Sequence, residues 1–374
     1  MGMPDRESLG GPAACEPPFV EGLLRLGAAV EEETYVYGDK LERTGLWDRV
    51  VRVLKVARRL RRRLLSSSFD VLHLNTSFDT KALLRDVVTV LVLPRGRGKI
   101  FLKFHGSDAR LLETGNPLLR LCSRVLLRRA DAVGLLSTEE RDNFVRAGAD
   151  ARKIFVVKNV VSAEGLEARD LQFAARMNVS SNTSLLLFVA RFIPAKGLLD
   201  CIRACAILRE RGFDFLLLCL GDGPARREAE SEVARLKLTP NVRFFGYIPE
   251  AETNDFYKGS TLLLFPTYHY EGFPMVVFKS LAAGLPVITT RIRAAADYLS
   301  EPENCLWVEP QNPAKLAEKI ALLLEQRKLR ASMSENNRRL AQAFDADTVA
   351  REYLDAYVQL AAGVAASRSS SVEA

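Results

Sequence analysis

Two cations stand at the end of an apolar run. The stretch "VARFIPAKG" (189–197) places Arg191 and Lys196 around a turn that contains Pro194 and closes on Gly197. Cations that straddle a strand-to-helix turn can converge on one diphosphate, the arginine as a planar two-pronged donor and the lysine as a point charge. The other reading is two solvated surface charges. An arginine that closes an apolar strand argues against it, because a buried guanidinium requires a partner.

A second stretch, "HYEGFPMVVFKSLAAGLPVITT" (269–290), reads as a polar loop, a proline, a short apolar helix, a glycine stop and a strand. Pro274 suits a first helical turn, where its missing N–H would have no partner anyway. The amides of 274–277, with Met275 and Val276 among them, form an anion site together with the helix dipole. Gly272 and Phe273 complete the loop, and Glu271 ahead of them can accept hydrogen bonds from ligand hydroxyls. Lys279 is the unexpected residue, about 7.5 Å along the axis from Pro274 at 1.5 Å per residue. It either lies along Phe278 and Leu281 into solvent or points into a nucleotide pocket, where it donates but cannot accept.

Two further loops follow strands or open helices. "FHGSDA" (104–109) puts His105 where a side chain reaches a cleft, and a bond to Asp108 or a strand-end cap is the competing reading. "LGGPAA" (9–14) offers Gly10 and Gly11, whose backbone can approach an anion closely, although a plain tight turn has the same letters. These pieces fit the departure of a nucleotide diphosphate from a sugar, in which charge grows on phosphate oxygens. Arg191, Lys196 and helix amides can take that charge, and no Asp-x-Asp stands on a loop suited to a metal. No metal or other cofactor is therefore expected.

The elements that must position these residues are visible as apolar runs alternating with helical patterns. "FDVLHLNTS" (69–77), "KIFLKFHGSD" (99–108), "AVGLLST" (132–138) and "KIFVVKNVV" (153–161) are strand candidates in the first half. "SLLLFVARF" (184–192), "FDFLLLCLGDG" (213–223), "VRFFGYI" (242–248), "TLLLFPT" (261–267) and "LPVITT" (285–290) follow in the second. Near-continuous apolar strands separated by helices imply parallel sheets covered on both faces. The polar stretch 166–184 marks the linker. The expected fold class is α/β, with two Rossmann-like doubly wound domains facing a central cleft. Their expected extents are 1–165 and 166–345, followed by a C-terminal helix at 346–362 and a disordered tail at 363–374.

The totals agree. The chain has 374 residues, is 48% apolar and 26% charged, and carries a net charge of +7. That length suits two domains, and the composition excludes global disorder. The positive balance suits an anionic partner. Six cysteines without a Cys-x-x-Cys pair lie mostly in apolar runs and read as buried thiols in a reducing compartment. No run approaches the roughly 20 apolar residues of a membrane span, and "MGMPDRESLGG" lacks the apolar core of a signal peptide. The expected location is the cytoplasm.

Taken together, "EGFPMVV…LAAGLPVITT", "VARFIPAKG", "LCLGDGP", "NVRFFGYIP" and "KNVV" resemble the retaining nucleotide-sugar glycosyltransferases of family four, the group 1 transferases, which have the GT-B fold. The resemblance covers roughly 69–360 and is densest over 184–310. It implies a nucleotide-sugar donor held mainly by the second domain, a glycan or lipid-linked acceptor served by the first, a C-terminal helix at 346–362 that returns to the first domain, and transfer with retention and without metal. By the same resemblance Arg191 and Lys196 are the pyrophosphate pair and Gly272, Phe273 and Pro274 the phosphate and sugar loop. Glu271 is the first acid of a Glu-x7-Glu motif, and His105 the histidine near the donor sugar. The chain departs from the pattern at Lys279, where the second, ribose-holding acid is usual; at "RIRAAAD", where a glycine pair is usual; and at Ala190, in place of a frequent glycine. The apolar strand due before Gly10–Gly11 is reduced to "MGM", which leads us to expect a start further upstream or an unstable first domain. From the lost acid, Lys279→Glu is expected to tighten nucleotide-diphosphate binding about tenfold.

Other functions compete with this one. "GDGPAR" resembles a dinucleotide fingerprint but lacks its third glycine, and no acid follows the next strand. A sugar-nucleotide epimerase or phosphorylase on the same fold, and a non-catalytic sugar-nucleotide-binding homologue, remain alternatives. No nucleic-acid partner is expected. The helix "DRVVRVLKVARRLRRRLL" (48–65) gathers Val50, Val53, Leu54, Ala57, Leu60 and Leu64 on one face and arginines and lysine on the other. It is either a core helix with a solvated basic face or a peripheral dock on the anionic cytoplasmic face of a membrane.

Overall fold

The computed structural model describes residues 1–4, 11–35 and 45–363. It divides into two compact units. The first comprises Met1–Val160, Tyr270–Phe273 and the segment from Ala346 onward, and the second comprises Val161–His269 and Pro274–Asp345.

The first unit is a six-stranded parallel sheet of β1 (Gly2–Met3), β2 (Glu33–Thr34), β3 (Val71–Phe78), β4 (Lys99–Ser107), β5 (Ala132–Leu135) and β6 (Ile154–Val156), in the order β2-β1-β3-β4-β5-β6. The second is a parallel sheet of β7 (Ser184–Val189), β8 (Phe215–Leu220), β9 (Val242–Gly246), β10 (Leu262–Phe265), β11 (Val287–Thr289) and β12 (Cys305–Trp307), in the order β12-β11-β10-β7-β8-β9. The apolar runs behave as parallel strands should: every residue of β8 and of β10 is buried, because helices cover both faces of the sheet. Chain order reverses between β7 and β10, which makes their adjacent carboxyl ends the topological switch point of this sheet.

Two strands, β2 and β12, of two and three residues, were not legible in the sequence, and β1 spans only two. "MGM" nevertheless supplies β1, and Gly2 pairs with both Glu33 and Leu74. The units part at Val160/Val161 rather than at 165/166. The reason is hydrogen bonding: Val161 N donates to Phe344 O (2.9 Å), Asp170 N to Lys258 O (3.2 Å) and Asn254 Nδ2 to Glu164 O (3.1 Å), which ties 161–170 to the second unit.

The C-terminal helix Ala346–Ala361 packs on the helix Gly11–Arg25 within the first unit. The Phe19 and Tyr353 rings lie 4.5 Å apart, Tyr353 Oη donates to Lys158 O (3.1 Å), and Lys158 pairs with Glu352 (2.6 Å). The basic helix, Leu46–Ser66, buries Val56, Ala57, Leu60 and Leu64. Val50 does not join that face. It is exposed with Trp47, Val51 and Leu65, because the buried stripe begins a turn later than the apolar letters do. Residue 10 and the tail expected at 363–374, apart from Gly363, lie outside the described residues.

Candidate functional site

In the second unit, Arg191 and Lys196 occupy the loop at the carboxyl end of β7. Arg191 is exposed, not buried as the apolar strand before it suggested, since Val189 is already the last strand residue. Lys196 is half-buried, its Nζ 5.6 Å from the centre of the Phe265 ring. The loop is held against the one that leaves β10: Thr267 Oγ1 (3.2 Å) and Tyr268 N (2.8 Å) both donate to Ala195 O. Gly197 makes this approach possible. Its φ is +81°, and a Cβ there would stand 2.4 Å from Pro266 O. The two loops of the switch point therefore lie together, with both cations on one of them.

The helix Met275–Ala282 follows the β10 loop. Pro274 is the residue before the helix, and no side chain caps its start. The helix thus starts at the same carboxyl edge, with the positive end of its dipole there. Lys279 takes neither course expected of it. Its side chain is only 12% exposed. Nζ donates to Glu250 Oε1 (2.6 Å), Glu250 O (3.2 Å) and Thr253 Oγ1 (2.8 Å), and sits 5.1 Å from the Tyr257 ring centre. An ammonium has three N–H donors, so these bonds use all of them. Burial lowers the Lys279 pKa, and the Glu250 carboxylate works against that shift. Lys279→Glu would remove three bonds and set two carboxylates side by side. The tighter binding expected from that substitution does not follow.

In the first unit, His105 lies near the end of β4 with its side chain 2% exposed. Nε2 donates to Asn75 Oδ1 (3.0 Å) and lies 3.3 Å from Glu16 Oε1. The Asn75 orientation is set by Nδ2, which donates to Gly2 O (3.1 Å). Both neighbours of Nε2 are acceptors, so Nε2 carries the proton and Nδ1 the lone pair. Burial and the Lys103 ammonium push the His105 pKa down, so the ring is neutral at pH 7. Behind it Glu16 and Lys103 form a buried pair (2.6 Å). Burial alone would raise the Glu16 pKa; the Lys103 ammonium and the His105 bond outweigh it and hold the carboxyl well below its usual range. His73 extends the chain from Asn75 (3.2 Å) to Tyr357 on the C-terminal helix.

Tyr270–Phe273 belongs with this unit. The backbone of Gly272 passes so close to His105 that a Cβ would stand 2.6 Å from His105 O. Glu271 beside it is half-buried, and Phe273 is buried. Gly11 opens the helix Gly11–Arg25, while Gly10 falls outside the described residues. Among the described residues, Cys15, Glu16 and His105 bring ligand atoms within 4.8 Å of one another. The donor set does not suit a metal: burial keeps the Cys15 thiol protonated, and Lys103 already neutralises Glu16.

Two family models match in succession: the glycosyl transferase 4-like domain over residues 18–160 and the glycosyl transferases group 1 over residues 172–340. The chain belongs to the group 1 glycosyltransferases. It is 28% identical to the putative colanic acid biosynthesis glycosyltransferase WcaL of Escherichia coli over 67% of this chain and 60% of that one. It is 30% identical to 2-deoxystreptamine glucosyltransferase of Streptomyces kanamyceticus over 56% and 55%. The alignments thus span little more than half of these relatives. HepE of Anabaena, solved in complex with UDP-glucose, superposes with a TM-score of 0.76 at 18% identity, covering 96% of this chain and 98% of that one. The fold of this group 1 member is accordingly α/β of the GT-B type, with two Rossmann-like units.

The sequence did not reveal Glu16, Lys103, Asn75 or Glu250 as parts of these sites. A lysine inside the apolar run "FLKFH" was a visible signal, since a charge on a buried strand must find a counter-charge.

Proposed function

We propose that this group 1 glycosyltransferase moves a sugar from a nucleotide-diphosphate donor to a glycan or lipid-linked acceptor, with retention of anomeric configuration and without a metal. The observation that carries the reading is the switch point of the second sheet, where Arg191 and Lys196 share an edge with the helix start at Met275. Ligands of doubly wound sheets bind at that point, and a diphosphate is the ligand that two cations and helix amides suit. In the reaction the bond from the anomeric carbon to the diphosphate oxygen breaks, and the electron pair stays on the diphosphate. Arg191, Lys196 and the amides stabilise that growing charge. The acceptor hydroxyl forms the new bond and yields its proton to the departing phosphate oxygen.

The first unit serves the acceptor in this reading. Its basic helix Leu46–Ser66, with Trp47 exposed, suits peripheral contact with the cytoplasmic face of an anionic membrane. The deciding assay presents UDP-, GDP- and ADP-sugars in EDTA and measures nucleotide-diphosphate release and the anomeric configuration of the product. Release with retention supports the scheme. Activity lost in EDTA and restored by Mg²⁺ or Mn²⁺ refutes the metal-free part, and donor binding without turnover or hydrolysis favours a binding homologue.

A further inference from the structure

We propose that Glu250, held in place by Lys279, is the carboxylate that receives the ribose hydroxyls of the nucleotide donor. The inference rests on the donor reading above and assigns the part of the site next to the diphosphate.

Glu250 opens the turn Glu250–Thr253, just beyond the carboxyl end of β9. The helix Asn254–Gly259 then carries the chain back to β10 and packs on β7. Lys279 is on the helix Met275–Ala282, which packs on β10. The Lys279–Glu250 pair therefore joins the two elements that flank the β7/β10 switch point. A nucleoside attached to a diphosphate at that point extends over the same carboxyl-end surface.

A vicinal diol donates two hydrogen bonds and calls for a group that only accepts. Lys279 cannot serve: its three N–H groups are engaged, and an ammonium has no lone pair. Glu250 can. Its side chain is 64% exposed, and a carboxylate has about four acceptor positions, of which Lys279 takes one. The lysine grips both the carboxylate and the main-chain carbonyl of Glu250 (2.6 and 3.2 Å) and is itself fixed by Thr253 and Tyr257. An exposed glutamate held at two points is ordered before a ligand arrives, which is the condition for a favourable contact. Lys279 is thus a positioning residue, and Glu250 the one that touches the donor.

Calorimetry with UDP and 2′,3′-dideoxy-UDP, and with GDP and its dideoxy form, tests the assignment on the wild type, Glu250→Gln and Lys279→Met. Glu250→Gln should weaken UDP or GDP binding about tenfold, or 1.4 kcal/mol, and leave the dideoxy nucleotides unchanged or slightly tighter. The direction is informative because removing a negative charge near a diphosphate would by itself tighten binding. Lys279→Met should shrink the same ribose-dependent gap. Equal effects on ribo- and dideoxynucleotides, or no effect of Glu250→Gln on either, overturn the inference while the donor reading stands. A wild-type protein that binds none of UDP, GDP and ADP overturns both.

Discussion

Glu16 Oε1 and Lys103 Nζ lie 2.6 Å apart with both side chains closed off from solvent, and the same carboxylate oxygen faces His105 Nε2 at 3.3 Å. The pair joins the helix Gly11–Arg25 to the middle of β4 and fixes the face of the imidazole that carries the proton. Removing one partner leaves an uncompensated buried charge. Glu16→Gln or Lys103→Met is therefore expected to destabilise the first unit by about 3–5 kcal/mol. The double replacement Glu16→Gln with Lys103→Met should recover much of that loss, since neither charge remains. Urea denaturation of the four proteins gives the coupling; additive single effects would contradict the pairing.

The histidines beside this pair set a pH dependence. Burial, ahead of any charge, pushes the His73 pKa down to about 3, and His105 is lowered for the same leading reason. An unfolded histidine titrates near 6.5. Between those values the unfolded chain binds more protons than the folded one, so acid favours unfolding. Stability is expected to be full above about pH 6.5 and to fall as the pH drops toward 3, by about 1.4 kcal/mol per pH unit for each proton taken up. His73→Phe should flatten part of that slope. A denaturation midpoint constant from pH 7 to 4 would show that these rings titrate normally.

At the switch point, Arg191→Ala and Lys196→Ala are each expected to lower kcat by about 10²–10³, the usual effect of losing one stabiliser of developing charge. Neither should change the melting temperature much, because Arg191 is exposed and Lys196 half-buried. Steady-state rates with the preferred donor decide it; a change confined to KM would mean that the two cations bind donor and transition state alike.

Much of this architecture was legible because the strands are parallel and buried on both faces. Runs such as "FLLLC" and "LLLF" carry no polar alternation and stand out from the helices between them. Arg191, Lys196 and Pro274 were legible because each owes its position to a local strand-to-helix turn. Glu16 and Lys103 are 87 residues apart, and Glu250 and Lys279 are 29 apart. No local rule couples such positions. The sequence shows that a lysine on a buried surface requires a partner, and only the packed fold selects which acid it is. The exposure of Val50 has the same origin, since the helix's rotation is set by its neighbours and not by its own letters.

Gly272 is a sharper probe of the first unit's site than any charged residue there. A Cβ at this position would meet His105 O at 2.6 Å and the Leu136 side chain at 3.2 Å. The first of these is backbone, so the loop must shift rather than a side chain turn. Gly272→Ala is expected to lower kcat/KM by on the order of 10², the cost of about 1 Å of misplacement near reacting groups. Thermal unfolding should move little. A variant with full activity would separate the 270–273 loop from the chemistry.

The outer surface of the first unit leads to the last prediction. The helix Leu46–Ser66 exposes Trp47 at 82%, together with Val50, Val51 and Leu65, and carries exposed Arg58 and Arg62, while Arg59 and Arg63 pair with Glu33 (3.0 Å) and Glu31 (2.8 Å). It packs on the helix Thr80–Val92, which exposes Leu84, Val88 and Leu91 on one stripe, and Arg61 Nη1 donates to Val92 O (2.8 Å) across the seam. The helix Pro117–Arg129 lies on the other side and adds exposed Leu118 and Leu121, with Arg129 bound to the carbonyls of Val90 (2.7 Å) and Leu93 (2.9 Å). A layer of three joined helices with apolar side chains among cations suits the headgroup region of an anionic bilayer better than it suits water. Among the described residues no helix is long and apolar enough to cross a membrane. Each basic residue at such a surface contributes about 1 kcal/mol, so Arg58→Glu with Arg62→Glu should abolish co-sedimentation with anionic vesicles at low salt. Trp47→Ala should weaken it, and neutral phosphatidylcholine vesicles should not bind at all. In the wild type, Trp47 fluorescence should shift to the blue on anionic vesicles and return as salt screens the charges. Absence of binding to anionic vesicles at low salt would end the membrane assignment and leave the layer as an ordinary solvated face.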